Sequence, residues 1–207
     1  DLTPNRGDCF SVLGIARDVA ALTGADLKDA STATSTATTQ DEQAIELLEP
    51  KGCPRFAGRV IRGIDTNATS PLWMTEQLRR SGLRPTSPVV DVTNYVMLEL
   101  GQPMHAYDQA LVKGAIRPRL AQKGEKLVLL DEKEVQLNPD TMIITDDTGP
   151  ICLAGIMGGL STAVNDDTND IFFEAAFWPQ DFMAGRARAY GLHTNASLRF
   201  ERGVDPR

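Results

Sequence analysis

Lys126-Leu-Val-Leu-Leu130, Glu134-Val-Gln-Leu137, Met142-Ile-Ile-Thr145 and Ile151-Cys-Leu-Ala154 follow one another closely, with Asn138-Pro139-Asp140 and Asp146-Asp147-Thr148-Gly149 among the residues between them. Each apolar run is too short for a helix, and each is bounded by residues that favour turns, so the set reads as strands of a sheet. Working outward, 115–120 and 171–175 are further short strands, and 56–64 alternates branched apolar with polar residues. Helical spacing marks 11–22, with Asp8 or Ser11 as cap and Thr23-Gly24 as stop. A second helix opens at Ser70-Pro71, Ser70 capping and Pro71 in the first turn, and runs to Ser81-Gly82. Residues 179–190 read as a third. The stretch 89–100 fits helix or strand by periodicity alone. Short strands without strict βαβ alternation give an α+β class: mixed, largely antiparallel sheets with packed helices, preceded by a short helical segment.

The chain has 207 residues and a net charge of −7. That length suits one large domain or two small ones. The acidic balance is wrong for gripping a long nucleic acid by its phosphates, although it permits contact with an RNA end held by something else. Arg186, Arg188, Arg199 and Arg202 are the more credible phosphate contacts; Arg79, Arg80 and Arg84 form a second cluster. Three separated cysteines and two histidines lack the spacing of a disulfide framework or zinc site, so a reducing cytoplasm is the expected compartment. No apolar run is long enough to cross a bilayer. The polar run 30–39 marks a boundary, dividing the chain into 1–29, a linker at 30–49, and 50–207. The start at Asp1 and the end at Arg207 read as those of a piece of a longer protein.

Several segments place polar groups where chemistry needs them. Val90-Asp-Val-Thr-Asn-Tyr-Val96 sets Asp91 and Asn94 in an apolar run, where each needs a partner. A structural network is the better reading for Asp91; Asn94 is evenly balanced. His105 follows a Gly-x-Pro turn and reads as a loop residue; it could act as acid, base or hydrogen-bond donor, but from composition alone a surface or capping His is the better reading. Glu174 closes the run Ile171-Phe-Phe173. Pointing inward, it needs a donor, either a protein Arg or a ligand hydroxyl; pointing outward, it is an ordinary solvated Glu. Ala154-Gly-Ile-Met-Gly-Gly159 is not a P-loop and implies only tight turns or close approach. No nucleophile elbow and no HExxH occurs, so covalent catalysis has no support.

In order along the chain stand Asp1-Leu-Thr-Pro-Asn-Arg-Gly-Asp-Cys9, Cys53-Pro-Arg-Phe-Ala-Gly-Arg59, Val90-Asp-Val-Thr-Asn-Tyr-Val96, Gly101-Gln-Pro-Met-His-Ala-Tyr-Asp108, Gly185-Arg-Ala-Arg188, Gly191-Leu-His-Thr194 and Arg199-Phe-Glu-Arg-Gly-Val-Asp-Pro206. Together they closely resemble the β subunit of bacterial phenylalanyl-tRNA synthetase, in the region of its third and fourth modules. The likeness thins only in the polar run. It implies an editing region that hydrolyses mischarged tyrosyl-tRNA(Phe), preceded at 1–29 by the tail of another module. It implies as partners the acceptor end of tRNA(Phe) and an α subunit, within an α2β2 heterotetramer. ATP and Mg2+ would serve phenylalanine attachment on the α subunit; editing would need no cofactor or metal, and this region alone would not aminoacylate.

By the same resemblance His105 and Glu174 form the catalytic pair, Glu174 reading the tyrosine hydroxyl. Gly158, Thr194 and Ala196 line the pocket, and Asn94 lies beside the substrate. One departure is Ala196-Ser-Leu198-Arg199, where many relatives have His in place of Leu198. Backbone N–H groups near Gly158-Gly159 are candidate oxyanion donors, and His105 is read as positioning the water, ribose or ester. The chemical need is clear: an apolar pocket rejects an added hydroxyl by only ~10²-fold, whereas a site that hydrogen-bonds the hydroxyl discriminates by ~10⁴-fold or more. The competing expectations are a non-catalytic scaffold or RNA-binding module supporting the α subunit, and a free-standing deacylase. A set comprising His105, Glu174, Thr194 and Ala196 favours the hydrolase.

Overall fold

Ser11 caps the first α-helix, its Oγ accepting the Gly14 N–H at 2.9 Å. The computed structural model describes residues 2–28 and 34–206. This helix, α1 (Val12–Thr23), stops at Gly24, whose φ of 71° lets its N–H close onto the Ala20 carbonyl. Val12, Ile15, Val19 and Leu22 stay exposed. After β1 (Arg55–Ile61) comes α2 (Leu72–Arg80). Here the expected cap is corrected: Pro71 occupies the cap position, and the Ser70 hydroxyl donates to Asp91 Oδ2 at 2.6 Å. The ambiguous stretch is a helix, α3 (Pro88–Leu100), with Pro88 in its first turn and Gly101 at its left-handed end. Asp91 is buried, and its other oxygen accepts the Thr86 N–H at 2.9 Å. The structural network expected of Asp91 is therefore present.

Next come β2 (His105–Asp108), β3 (Arg117–Leu120), β4 (Lys126–Val128), β5 (Glu134–Gln136), β6 (Met142–Asp146), β7 (Gly149–Leu153), β8 (Met157–Gly158) and β9 (Ile171–Phe177). The α+β expectation holds, and every named strand pair is antiparallel. One sheet has the order β1-β9-β2, a second β3-β6-β7-β8, and β4-β5 form a ribbon. One buried cluster joins them: Tyr107 and Phe172 from the first sheet meet Ile143, Ile144, Ile151 and Leu153 from the second. Residues 34–43 have no regular secondary structure, and 30–33 of the polar run, with residue 29 before it, lie outside the described residues. The Glu46 and Leu48 N–H groups bond to the carbonyls of Ile116 and Pro118, so this segment lies along β3.

Residues 179–190 form two short helices instead of one, α4 (Gln180–Met183) and α5 (Arg186–Ala189). Between them Gly185 has a φ of 74°, which no continuous right-handed helix contains. The last helix, α6 (Asn195–Arg202), is closed by a capping box between Thr194 and Ser197. The C-terminal arginines, expected as phosphate contacts, also have partners within the protein. Arg186 pairs with Asp140 and Arg188 with Glu201. Arg199 and Arg202 lie over the Phe10 ring and donate to the carbonyls of Phe10 and Leu2, holding the N-terminal segment against α6. No helix among the described residues is long and apolar enough to cross a membrane.

Candidate functional site

The register of the first sheet decides what meets in the interior. Glu174 on β9 lies directly opposite His105 on β2 and Gly58 on β1. Residues opposed in an antiparallel pair project to the same face, and so does a residue two along. His105, Tyr107 and Glu174 therefore share one face. This corrects the expectation of a loop for His105, which is the first residue of a strand. The β7–β8 hairpin faces them with Cys152, Ile156 and Gly158, and Thr194 and Ala196 close the end from α6. Together they enclose a cavity of about 220 Å³, which Trp178, Phe200, Met104 and Leu130 also line.

Glu174 points inward and is buried; the protein group that donates to it is not an arginine but the Tyr107 hydroxyl, which donates to Oε2 at 2.5 Å. Burial pushes the Glu174 carboxyl up to about 7, with the Tyr107 hydrogen bond acting in the opposite direction. The same burial, reinforced by the Glu174 charge, drives the Tyr107 phenol and the Cys152 thiol well above their ordinary ranges and Cys53 up to about 12. His105 is half-buried as a residue, but its Nε2 is closed to solvent and has no protein hydrogen-bond partner. Burial pulls it down to about 4, so its imidazole is neutral at pH 7. Its ring stands edge-on to that of Tyr107, with centroids 4.5 Å apart at 89°.

Gly158 is needed for space. A Cβ there would lie 2.4 Å from His105 Cε1 and 2.7 Å from Nε2. The adjacent Gly159 is not a free donor, because its N–H bonds to the Ile151 carbonyl at 2.8 Å; this removes half of the expected oxyanion pair. The Thr194 hydroxyl is also consumed, donating to the Ile156 carbonyl and accepting the Ser197 N–H, each at 3.0 Å. Thr194 therefore contributes shape to the wall.

The cavity brings together His105, Gly158, Glu174, Thr194 and Ala196. Asn94, half-buried in α3, is not among its lining residues, and neither is Leu198. Sequence reasoning missed Tyr107 and Cys152. For Tyr107 the signal was the period-2 spacing from His105, visible only once that segment is read as a strand. A wider depression of about 660 Å³ lies between 35–45 and β1, but Asp41, Glu42, Arg59 and Arg62 in its lining are exposed.

Two antiparallel sheets with a pocket that holds a buried acid and a neutral imidazole define an α+β domain. The chain belongs to the B3/4 domain family, whose profile matches residues 52–207. It is 54% identical to the phenylalanine–tRNA ligase beta subunit of Pseudomonas syringae pv. tomato over 99% of this chain and 26% of that protein. It is 50% identical to that of Vibrio parahaemolyticus over the same shares. The chain thus spans about a quarter of the length of these curated relatives. Among solved structures, an N-terminal fragment of the phenylalanyl-tRNA synthetase beta-subunit from Pyrococcus horikoshii aligns with a TM-score of 0.48 and 16% identity, covering 87% of this chain and 55% of that one.

Proposed function

We propose that the chain is an editing region of a bacterial phenylalanine–tRNA ligase β subunit and hydrolyses the ester of tRNA(Phe) mischarged with tyrosine. The observation that carries this reading is the buried Glu174 carboxylate in a cavity shared with His105, Gly158, Thr194 and Ala196. A tyrosine phenol donates to that carboxylate; a phenylalanine ring would desolvate it further and return nothing, which is how the site rejects the correct amino acid.

In the reaction, water oxygen adds to the ester carbonyl carbon, the ribose oxygen leaves with a proton, and tyrosine and tRNA are released. An imidazole that titrates near 4 is a weak base at neutral pH. His105 therefore positions water, ribose or ester, and a ribose hydroxyl of the tRNA assists proton transfer. No metal or cofactor enters this scheme. ATP and Mg2+ belong to aminoacylation on the partner α subunit, in an α2β2 cytoplasmic enzyme, and this region does not itself aminoacylate. Residues 50–207 form the editing part, 30–49 a linker whose end, at Glu46 and Leu48, is bonded along β3, and 1–29 the tail of the preceding module.

The test is deacylation of preformed tyrosyl-tRNA(Phe) against phenylalanyl-tRNA(Phe), by this chain and by the whole heterotetramer, with Glu174→Ala in each. Faster loss of tyrosine, abolished by the substitution, is expected. If the heterotetramer also spares tyrosyl-tRNA(Phe), the domain is a scaffold and the editing reading is wrong.

A further inference from the structure

We propose that Tyr107 is a positioning residue for tyrosine selection: its hydroxyl fixes the Glu174 carboxylate so that the carboxylate accepts a second phenol, from the ligand. This rests on the editing reading above and deepens it.

Tyr107 has no exposed surface. Its ring is held edge-on by His105 and is stacked at 6.2 Å and 29° on Phe172, so the hydroxyl has a set direction. It donates to Glu174 Oε2 at 2.5 Å, the one side-chain hydrogen bond that Glu174 makes among the described residues. The titratable groups facing Glu174 are His105 and Tyr107 from β2, Cys152 from β7, and Cys53 ahead of β1. No Lys or Arg among the described residues lines the cavity.

An ionised carboxylate offers about four acceptor positions. An arginine fork would fill two of them and leave little for a ligand. One phenol fills one, fixes the plane of the carboxylate, and leaves the rest oriented before the ligand arrives. The Tyr107 bond also opposes the burial that makes Glu174 hold its proton. Removing the hydroxyl while keeping the ring frees the carboxyl to rotate and keeps it protonated to higher pH.

The experiment compares the chain with Tyr107→Phe and Glu174→Gln. The probes are the non-hydrolysable amides 3′-deoxy-3′-(tyrosylamino)adenosine and its phenylalanyl counterpart, titrated from pH 6 to 9. Carboxyl ¹³C resonances of glutamate-labelled chain are followed in parallel, with Glu174 assigned by its absence from Glu174→Gln. The wild-type chain is expected to favour the tyrosyl amide at pH 8. Tyr107→Phe should reduce that preference by about tenfold or more and move the Glu174 midpoint upward. Equal preference in the wild type would sink the editing reading and this inference with it. A wild-type preference that survives in a folded Tyr107→Phe, with an unmoved Glu174 midpoint, would overturn this inference alone. Should Tyr107→Phe not fold, 3,5-difluorotyrosine at the tyrosines supplies a stronger donor of similar shape. It should then lower the Glu174 midpoint, and an unmoved midpoint would overturn the proposal.

Discussion

Replacing Gly158 by alanine tests whether the cavity is defined by contact between the β8 backbone and the His105 ring. The added methyl carbon would lie 2.4 Å from Cε1 and 2.7 Å from Nε2, with Leu130 Cδ1 at 3.2 Å. Carbon atoms pack at about 3.5–4.0 Å, so roughly 1 Å must be found. The ring cannot simply retreat, because the Tyr107 ring stands against it. Overpacking of this kind costs about 1–3 kcal/mol. A 1 Å displacement of a positioning group costs on the order of 10²-fold in rate. Urea unfolding should therefore show a lower midpoint, the His105 imidazole resonances should shift, and single-turnover deacylation of tyrosyl-tRNA(Phe) should slow by about that factor. The decisive control is Gly158→Ala in a His105→Ala background, where the clash is gone and the stability loss should largely vanish. An equal stability loss in both backgrounds, or unshifted His105 resonances in the single variant, would refute the contact as the reason for glycine.

The remaining expectations concern stability, pH and RNA. Asp91→Ala strips the Ser70 hydroxyl and the Thr86 N–H of their acceptor and should cost about 1–3 kcal/mol by urea unfolding; a loss within experimental error would deny the network a role. Glu174 holds its proton in the folded state up to about 7, against an ordinary 4.5, so its contribution is complete below about 4.5 and is lost as pH rises through 7. Glu174→Gln should gain on the wild type over that window by up to ~3 kcal/mol, and a constant difference would contradict the raised carboxyl. For His105, drawn down to about 4 from 6.5, stability present above 6.5 is lost as pH falls toward 4, and His105→Gln should flatten that limb of the unfolding profile. The isolated chain should bind tRNA(Phe) with a dissociation constant above ~1 µM at physiological salt, since its C-terminal arginines are held by protein partners. Submicromolar binding in a filter or anisotropy assay would overturn that.

The sheets were legible because their strands are short apolar runs between strong turn residues, and that pattern depends only on local sequence. The helix cap at Ser11 was legible for the same reason. The cap proposed at Ser70 was not, because a residue distant in sequence, Asp91, competes for the same hydroxyl. The single helix expected over 179–190 failed at Gly185, where composition alone did not signal a break. Five of the six residues proposed for the site meet in one cavity, and they were found by resemblance to a family, since no spacing in the sequence joins position 105 to 174. That join is a matter of strand register. Reading His105 as a loop residue hid its alternation with Tyr107, and with it the group that partners Glu174. The packing of the N-terminal segment under the C-terminal arginines was not legible, because residues 189 to 200 positions apart in sequence make it.

Glu174 and His105 are opposed on paired strands, yet neither a hydrogen bond nor an ion pair joins them among the described residues. The carboxyl is pushed up and the imidazole down, so at neutral pH His105 carries no charge with which to hold Glu174. A charged partner would pull the carboxyl into the ordinary range and occupy the positions a ligand needs. A neutral phenol does neither. It lowers the cost of burying the acid only in part, and it engages only Oε2. A hydroxyl-bearing ligand donates to the other oxygen, and a plain aromatic ring does not. The selectivity proposed for this cavity therefore depends on an acid held through one oxygen by a weakly acidic hydroxyl, with no Lys or Arg among the lining residues described.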